Sequence, residues 1–274
     1  MSSPLTTAPR KANARMSLDF TRCLDELAGR DLLPDGHDSA FVVGSLARGW
    51  GNDLSDLDIY VVGEKPWTGS SSGTIRVPLS HPEVPTEHFY TEERRWEVKY
   101  WTSGQVEEIL AKVSWAVFDQ GRTIGQMLTR DEEQLLERLL VCRPLDGEEW
   151  VRRQQRLIEE SAFGAAVVTH CLTNADDFVE DALGQLATGD EASAVLSVRQ
   201  AFGHAVDALV AAHGECGRLV KWRARRVKAA APQALSYERY WAVETMRDFD
   251  PDDPATWVRD VMYLCKLLSM RVEI

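Results

Sequence analysis

Short apolar runs between turn-forming residues characterise the first half of the chain. They are enriched in β-branched residues, which is typical of strands buried in a sheet. Such runs predict strands at 40–43 and 57–62, and further strands are expected at 74–79 and 95–101. Apolar residues at helical spacing predict a helix over 18–27. Thr102 and Gln105 form a capping-box pattern, which predicts a helix that continues to Lys112.

The pattern changes beyond about residue 130, where long amphipathic helices replace strands. The predicted helical segments are 131–140, 147–187, 191–213, 217–230 and 254–270. The sequence therefore predicts an α+β fold. A small mixed sheet with flanking helices is expected over 16–142 and an all-α domain over 143–274, because Pro144 follows a leucine-rich helix. Residues 1–15 lack periodicity and are rich in Ser, Thr, Ala and Pro, which indicates a disordered leader.

Composition and charge narrow the classes of function. The chain has 274 residues, with 43 acidic against 31 basic side chains and a net charge of -12. This acidic balance disfavours binding to long nucleic acid, whose phosphates would be repelled. Five cysteines without a CxxC pair argue against a disulfide framework or a zinc ribbon. No apolar run approaches the roughly 20 residues of a membrane span, so a cytoplasmic protein with no membrane partner is expected.

Two segments around the first strands carry the candidate chemistry. Asp56 and Asp58 are two residues apart in a predicted strand, so their carboxylates project from the same face. Such a pair is stable only with a cation between the two charges, and oxygen ligands suit Mg²⁺. Ten residues separate Ser45 from Asp56. The pair Gly44 and Ser45 lies between a strand and a predicted helix start, where backbone N–H groups and a hydroxyl can hold phosphate oxygens.

The string Gly-Ser-Leu-Ala-Arg-Gly at 44–49, followed by Ser-Asp-Leu-Asp at 55–58, resembles the signature of the polymerase-beta-like nucleotidyltransferase superfamily. It is most similar to the branch with antibiotic (aminoglycoside-type) and minimal nucleotidyltransferases. The resemblance implies that Gly44 and Ser45 contact the phosphates of a nucleoside triphosphate (NTP) and that Asp56 and Asp58 coordinate Mg²⁺. Arg48, inside the motif, is included among the nucleotide-binding residues. The alternative is an acidic surface hairpin with a tight glycine turn.

A third carboxylate on a later strand is usual in that superfamily, and Glu97 in the predicted strand 95–101 is the best candidate. The resemblance implies that it bridges a metal ion or acts as a general base. Alternatively, Glu97 forms a charge pair with Lys99 or Arg95. Lys99 itself either contacts a phosphate or neutralises the acids. Rival carboxylates, which lie outside the predicted strand, are Glu87, Glu92 and Glu93.

A basic segment stands out in the helical half of this acidic chain. From 217 to 230 there are six basic residues and no acid. A helix there would bury Val220, Ala224 and Val227. The residues predicted on the opposite side are Arg218, Lys221, Trp222, Arg225 and Arg226. Lys221, Trp222 and Arg225 are candidate nucleotide contacts, supported by a loose resemblance to the helical domain of some antibiotic nucleotidyltransferases. A solvated basic face explains the segment equally well.

Together these features predict a Mg²⁺-dependent nucleotidyltransferase (EC 2.7.7.-) that transfers a nucleoside monophosphate from an NTP to a hydroxyl and releases pyrophosphate. A small sugar-, aminoglycoside- or nucleoside-like acceptor suits the acidic balance, because an acidic cleft attracts cations. Two alternatives remain open: a toxin-like nucleotidyltransferase that modifies tRNA or a protein, and a catalytically idle nucleotide-binding module. The sequence does not indicate the nucleobase or the oligomeric state.

Overall fold

The computed structural model of the protein describes residues 20–91 and 94–273. The predicted leader at 1–15 and the carboxylates of Glu92 and Glu93 lie outside the described residues. The strands in the described part are β1 (His37–Val43), β2 (Leu57–Gly63), β3 (Gly73–Arg76), β4 (Glu83–Thr91), β5 (Arg94–Thr102) and β6 (Arg143–Asp146). They form one sheet in the order β3-β4-β5-β2-β1-β6. The β2–β5 pair is parallel, and the other pairs are antiparallel.

Helices flank this sheet and then make up the rest of the described chain. The helices up to β6 are α1 (Cys23–Gly29), α2 (Gly44–Ala47), α3 (Ser103–Lys112), α4 (Trp115–Phe118), α5 (Ile124–Met127) and α6 (Arg130–Leu140). The helices after β6 are α7 (Glu148–Glu160), α8 (Phe163–Ala187), α9 (Glu191–Ala211), α10 (Arg223–Ala230), α11 (Tyr237–Glu244) and α12 (Pro254–Ser269). Single 3₁₀ turns occur at Phe20–Arg22 and Val220–Trp222. The predicted α+β fold is confirmed.

The centre of the sheet is buried on both faces, which explains why β1 and β2 are nearly continuous apolar runs. On one face Phe41 and Tyr60 pack in a core shared with α3, α6 and α8. On the other face Val42 and Ile59 pack around Leu27 of α1. These two layers fix the positions of the polar residues at the ends of β1 and β2.

The helical part is built around α9, which packs against α8 and α12. Ala182, Ala194 and Ala201 lie in its core, where small side chains let helices approach closely. Phe202 and Trp257 supply larger apolar surface in the same core. None of the helices within 20–91 and 94–273 combines the length and apolar character needed to cross a bilayer.

The structure corrects several predicted elements. The absence of strands after residue 130 was wrong, because β6 pairs with β1. This strand is a short edge segment that contains Pro144, and edge strands tolerate proline without an apolar alternation. The strand β4 was also missed, since Pro85 interrupts its pattern. The single helix predicted at 147–187 is two helices, which are separated at Ser161 and Ala162. The helix α11 was not predicted.

Candidate functional site

Gly44 forms the junction between β1 and α2. Its backbone has a φ of +71°, in the left-handed region that favours glycine. A Cβ added to Gly44 would lie 2.6 Å from Oδ2 of Asp58, because the preceding Val43 is the register partner of Asp58 in the β1–β2 pair. The glycine therefore allows the backbone to turn directly against this carboxylate.

The candidate carboxylates gather at one end of β2 and β5. Asp58 and Glu97 are register partners in the parallel β2–β5 pair, and Asp56 lies just before β2. Burial raises the pKa of Asp58, and the neighbouring charges of Glu97 and Asp56 add to this effect. Arg138 and Lys99 act in the opposite direction. The structure thus brings the three predicted carboxylates into electrostatic contact.

Basic side chains accompany these carboxylates. Oε1 of Glu97 lies 3.2 Å from Nζ of Lys99. Its Oε2 lies 3.2 Å from Nε2 of His88 and 4.0 Å from Nη2 of Arg95. Burial opposes ionisation of Glu97, but Lys99 and His88 outweigh it, so its pKa lies below the ordinary value. Asp56 pairs with Nη1 of Arg95 at 3.2 Å. The predicted charge pairs of Glu97 are therefore present, while its role as metal ligand or base stays a prediction.

The donor set is chemically suited to a hard cation, because all three candidates are carboxylates. In the described part of the chain, however, no three His, Cys, Asp or Glu side chains converge as a ready metal site. Arg95 and Lys99 hold carboxylate oxygens of Asp56 and Glu97. A Mg²⁺ ion at this position would replace these contacts, and it would supply the positive charge that the two basic side chains now provide.

A cavity of about 150 Å³ opens beside Gly44 and Asp58. Its walls come from the β1–α2 junction, from α6 and from the segment before α10. The polar and aromatic residues that line it are Ser45, Arg48, Trp50, Asp58, Gln134, Glu137, Arg138, Glu215, Lys221, Trp222 and Arg226. Of the predicted nucleotide-binding residues, Gly44, Ser45, Arg48, Lys221 and Trp222 line the cavity. Lys99 and Arg225 are not part of its lining.

Arg48 joins the sheet to the helical part. Its Nη2 donates to Oε1 of Glu215 at 2.5 Å, and its guanidinium lies 3.5 Å from the ring centroid of Trp50. The rings of Trp50 and Trp222 are 5.9 Å apart. Sequence reasoning missed Trp50 and Glu215 as site residues. The only local signal for Trp50 was its place beside the glycine motif.

Arg138 is a third residue that the sequence did not reveal. It lies on α6 within a leucine-rich segment, which indicated only a buried helix. Its Nη1 donates to the hydroxyl of Tyr60 at 2.8 Å. Burial opposes the charge of Arg138, but Tyr60 and Asp58 outweigh it, so its pKa is raised. Arg138 thus supplies a positive charge to the cavity wall that faces Asp58.

The predicted arrangement of the basic segment was wrong at Val220 and Arg226. Val220, which was expected to be buried, is 68% exposed, and Arg226, which was expected on the opposite side, is only 2% exposed. Val227 is buried and Lys221 and Arg225 are exposed, as predicted. The α-helix begins at Arg223, so the preceding residues do not share its periodicity. Arg223 and Arg226 both donate to the buried Asp207.

The segment therefore exposes fewer basic side chains than its sequence predicted. Arg218 donates to both carboxylate oxygens of Glu133 at 2.6 Å, so it is also occupied inside the protein. Lys221 and Arg225 are exposed and lie 5.4 and 5.9 Å from the ring of Trp222. Buried acids therefore determine where three of the six basic residues point.

Comparisons with known proteins give little beyond this geometry. No protein-family model matches the chain, and no curated protein matches it. A crystal structure described as a nucleotidyltransferase-like protein from Exiguobacterium sibiricum 255-15 is similar, with 10% sequence identity and a TM-score of 0.48. The similarity covers 92% of this chain and 74% of that chain. What the site does must therefore be inferred from its own residues.

Proposed function

We propose that the protein is a nucleotidyltransferase that transfers a nucleoside monophosphate from an NTP to a hydroxyl of a small acceptor. One observation carries this proposal: Gly44 turns against Asp58 at the rim of a cavity, and Asp58 lies beside Glu97 in the sheet. This places a backbone that can approach phosphate oxygens next to carboxylates that can hold a cation.

The cavity offers the groups that an NTP needs. The hydroxyl of Ser45 is available to a phosphate oxygen, and Arg138 and Lys221 supply positive charge along the wall. Trp50 and Trp222 add aromatic surface. Positioning and charge stabilisation are the main contributions of a protein to such a transfer, and these residues provide both.

In the proposed reaction, the acceptor oxygen forms a bond to the α-phosphorus. The bond from that phosphorus to the bridging oxygen breaks, and pyrophosphate leaves with the electron pair. The hydroxyl proton goes to Glu97, which Lys99 and His88 keep ionised by holding its pKa below the ordinary value. Asp56, Asp58 and Glu97 would hold Mg²⁺, which supplies neutralisation of the triphosphate charge.

The acceptor class is proposed as small and hydroxyl-bearing, namely sugar-, aminoglycoside- or nucleoside-like. The structure leaves a modest surface for a polyanion such as tRNA, because Arg218, Arg223 and Arg226 are paired with buried acids. Lys221, Arg225 and Lys228 remain exposed, and three cations give little phosphate neutralisation in a chain with a net charge of -12. Modification of tRNA or protein is therefore the alternative, and both are included in the acceptor panel of the test.

The test is transfer of label from each α-labelled NTP with Mg²⁺ to a panel of sugars, aminoglycosides, nucleosides, tRNA and proteins. Labelled product with stoichiometric pyrophosphate is the expected result, and it should disappear with a chelator and return with added Mg²⁺. Asp58→Asn should abolish transfer, because it removes a charge and preserves volume, whereas the exposed Asp248→Asn should not. No product from any acceptor, or an active Asp58→Asn variant, would overturn the proposal.

A further inference from the structure

The inner wall of the cavity contains a buried arginine whose hydrogen-bonding capacity is only partly used. Arg226 is 2% exposed, and its Nη2 donates to Oδ1 of Asp207 at 2.7 Å. Its Nε and Nη1 have no hydrogen-bond partner among the described residues. Leaving buried N–H groups unpaired costs free energy, so such groups in a cavity wall point to a ligand that completes them.

An unpaired acceptor lines the same cavity. Glu215 uses Oε1 to accept from Arg48, while its buried Oε2 has no partner in the part of the chain that the structure describes. Together Arg226 and Glu215 present both donors and an acceptor to the cavity. The indole rings of Trp50 and Trp222 line it as well, and they provide flat apolar surface.

We propose that Arg226 and Glu215 bind the edge of a nucleobase and determine which NTP the protein prefers, an inference that rests on the proposed function. A nucleobase edge carries donors and acceptors side by side, so it can satisfy both unpaired groups at once. The π-face of the same base can stack on an indole ring.

A phosphate fits this wall less well. Asp207 and Glu244 together balance the charges of Arg223 and Arg226. A Cβ on Gly217 would lie 3.8 Å from Cδ of Arg226 and 4.0 Å from Oε2 of Glu137, so a second carboxylate is near the arginine. Phosphate oxygens only accept hydrogen bonds, and they would leave Oε2 of Glu215 unpaired beside another negative charge.

The experiment compares binding of the four NTPs with binding of inorganic tripolyphosphate, which has no base. Arg226→Lys keeps a positive charge for Asp207 but removes the planar set of donors. We expect it to weaken binding of the preferred NTP at least about tenfold and to reduce the preference among NTPs. Binding of tripolyphosphate should stay within about twofold, because the phosphate contacts are elsewhere.

Arg223→Lys is the matched control, because Arg223 is also buried on Asp207 but does not line the cavity. It should leave both affinities unchanged. If Arg226→Lys fails to fold, Glu215→Gln supplies a second comparison, in which the order of preference among the NTPs should change.

The outcomes separate this inference from the proposed function. An equal loss of NTP and tripolyphosphate binding in Arg226→Lys would identify a phosphate contact and overturn the base-binding role alone. Unchanged NTP preference in both Arg226→Lys and Glu215→Gln would also overturn it. A wild-type protein that binds no NTP would overturn the proposed function, and this inference with it.

Discussion

Replacing Gly44 by alanine tests the closest approach in the candidate site. The left-handed backbone at Gly44 has a φ of +71°, and the new Cβ would lie 2.6 Å from Oδ2 of Asp58. The substitution therefore has two separate effects. It introduces backbone strain at the junction of β1 and α2, and it pushes the Asp58 carboxylate away from its present position.

The structure allows both effects to be estimated. A left-handed backbone costs a non-glycine residue about 1–2 kcal/mol. The atom that meets the new Cβ is the far end of a side chain, so rotation of Asp58 relieves the clash at little further cost in stability. Restoring ordinary contact at 3.4 Å requires Oδ2 to move by about 0.8 Å. A misplacement of about 1 Å in catalytic geometry can reduce a rate about a hundredfold.

Gly36→Ala is the matched control. Gly36 has a φ of +70°, nothing lies within 4 Å of an added Cβ, and the residue is outside the cavity. Chemical unfolding should show losses of about 1–2 kcal/mol for both variants. Pyrophosphate release should fall about a hundredfold only for Gly44→Ala. Equal transfer rates in the two variants, whether high or low, would refute the idea that Gly44 positions Asp58.

Three further predictions concern the carboxylates and a half-buried histidine. Glu97→Gln should lower the single-turnover transfer rate at saturating NTP by at least about a hundredfold, whereas Glu87→Gln should not; a normal rate for Glu97→Gln would leave only its charge-pair role. Asp207→Asn should cost about 3–5 kcal/mol in chemical unfolding, because it removes the partner of two buried guanidinium groups. The exposed control Asp248→Asn should cost less than about 1 kcal/mol, and similar losses would contradict this reasoning. Burial lowers the pKa of His204 below its ordinary 6.5, so its contribution to stability is present above that pH and is lost as pH falls towards the folded value; His204→Phe should therefore show a smaller loss between pH 7.5 and 5.5, and an unchanged slope would exclude this role.

The candidate site was predictable where its signal is local. Gly44 and the acids Asp56 and Asp58 were found because strand periodicity and turn chemistry act over a few residues. Glu97 was chosen from the resemblance together with its place on a later strand, and the structure makes it the register partner of Asp58. Arg138 and Trp50 were missed, since a basic residue in a leucine-rich helix and an aromatic residue after a turn carry no specific local pattern.

The basic segment shows the limit of periodicity. Its composition was correct evidence for cations near the site, but the direction of each side chain depended on where the helix begins. That start, at Arg223, and the buried Asp207 on α9 decide that Arg226 faces inward. A buried carboxylate requires a paired cation, and only packing of α9 against α10 reveals which cation pairs with it.

By itself, the sequence determined the α+β class, the central strands and the glycine and aspartates at the ends of those strands, because these depend on neighbours in the chain. Tertiary structure decided the contacts between distant residues. Arg48 and Glu215 are 167 positions apart, yet their ion pair joins the glycine motif to the helical part. The cavity, its two indole rings and the unpaired groups of Arg226 exist only after that approach, because closing so long a loop depends on burial of the whole core and not on local preference.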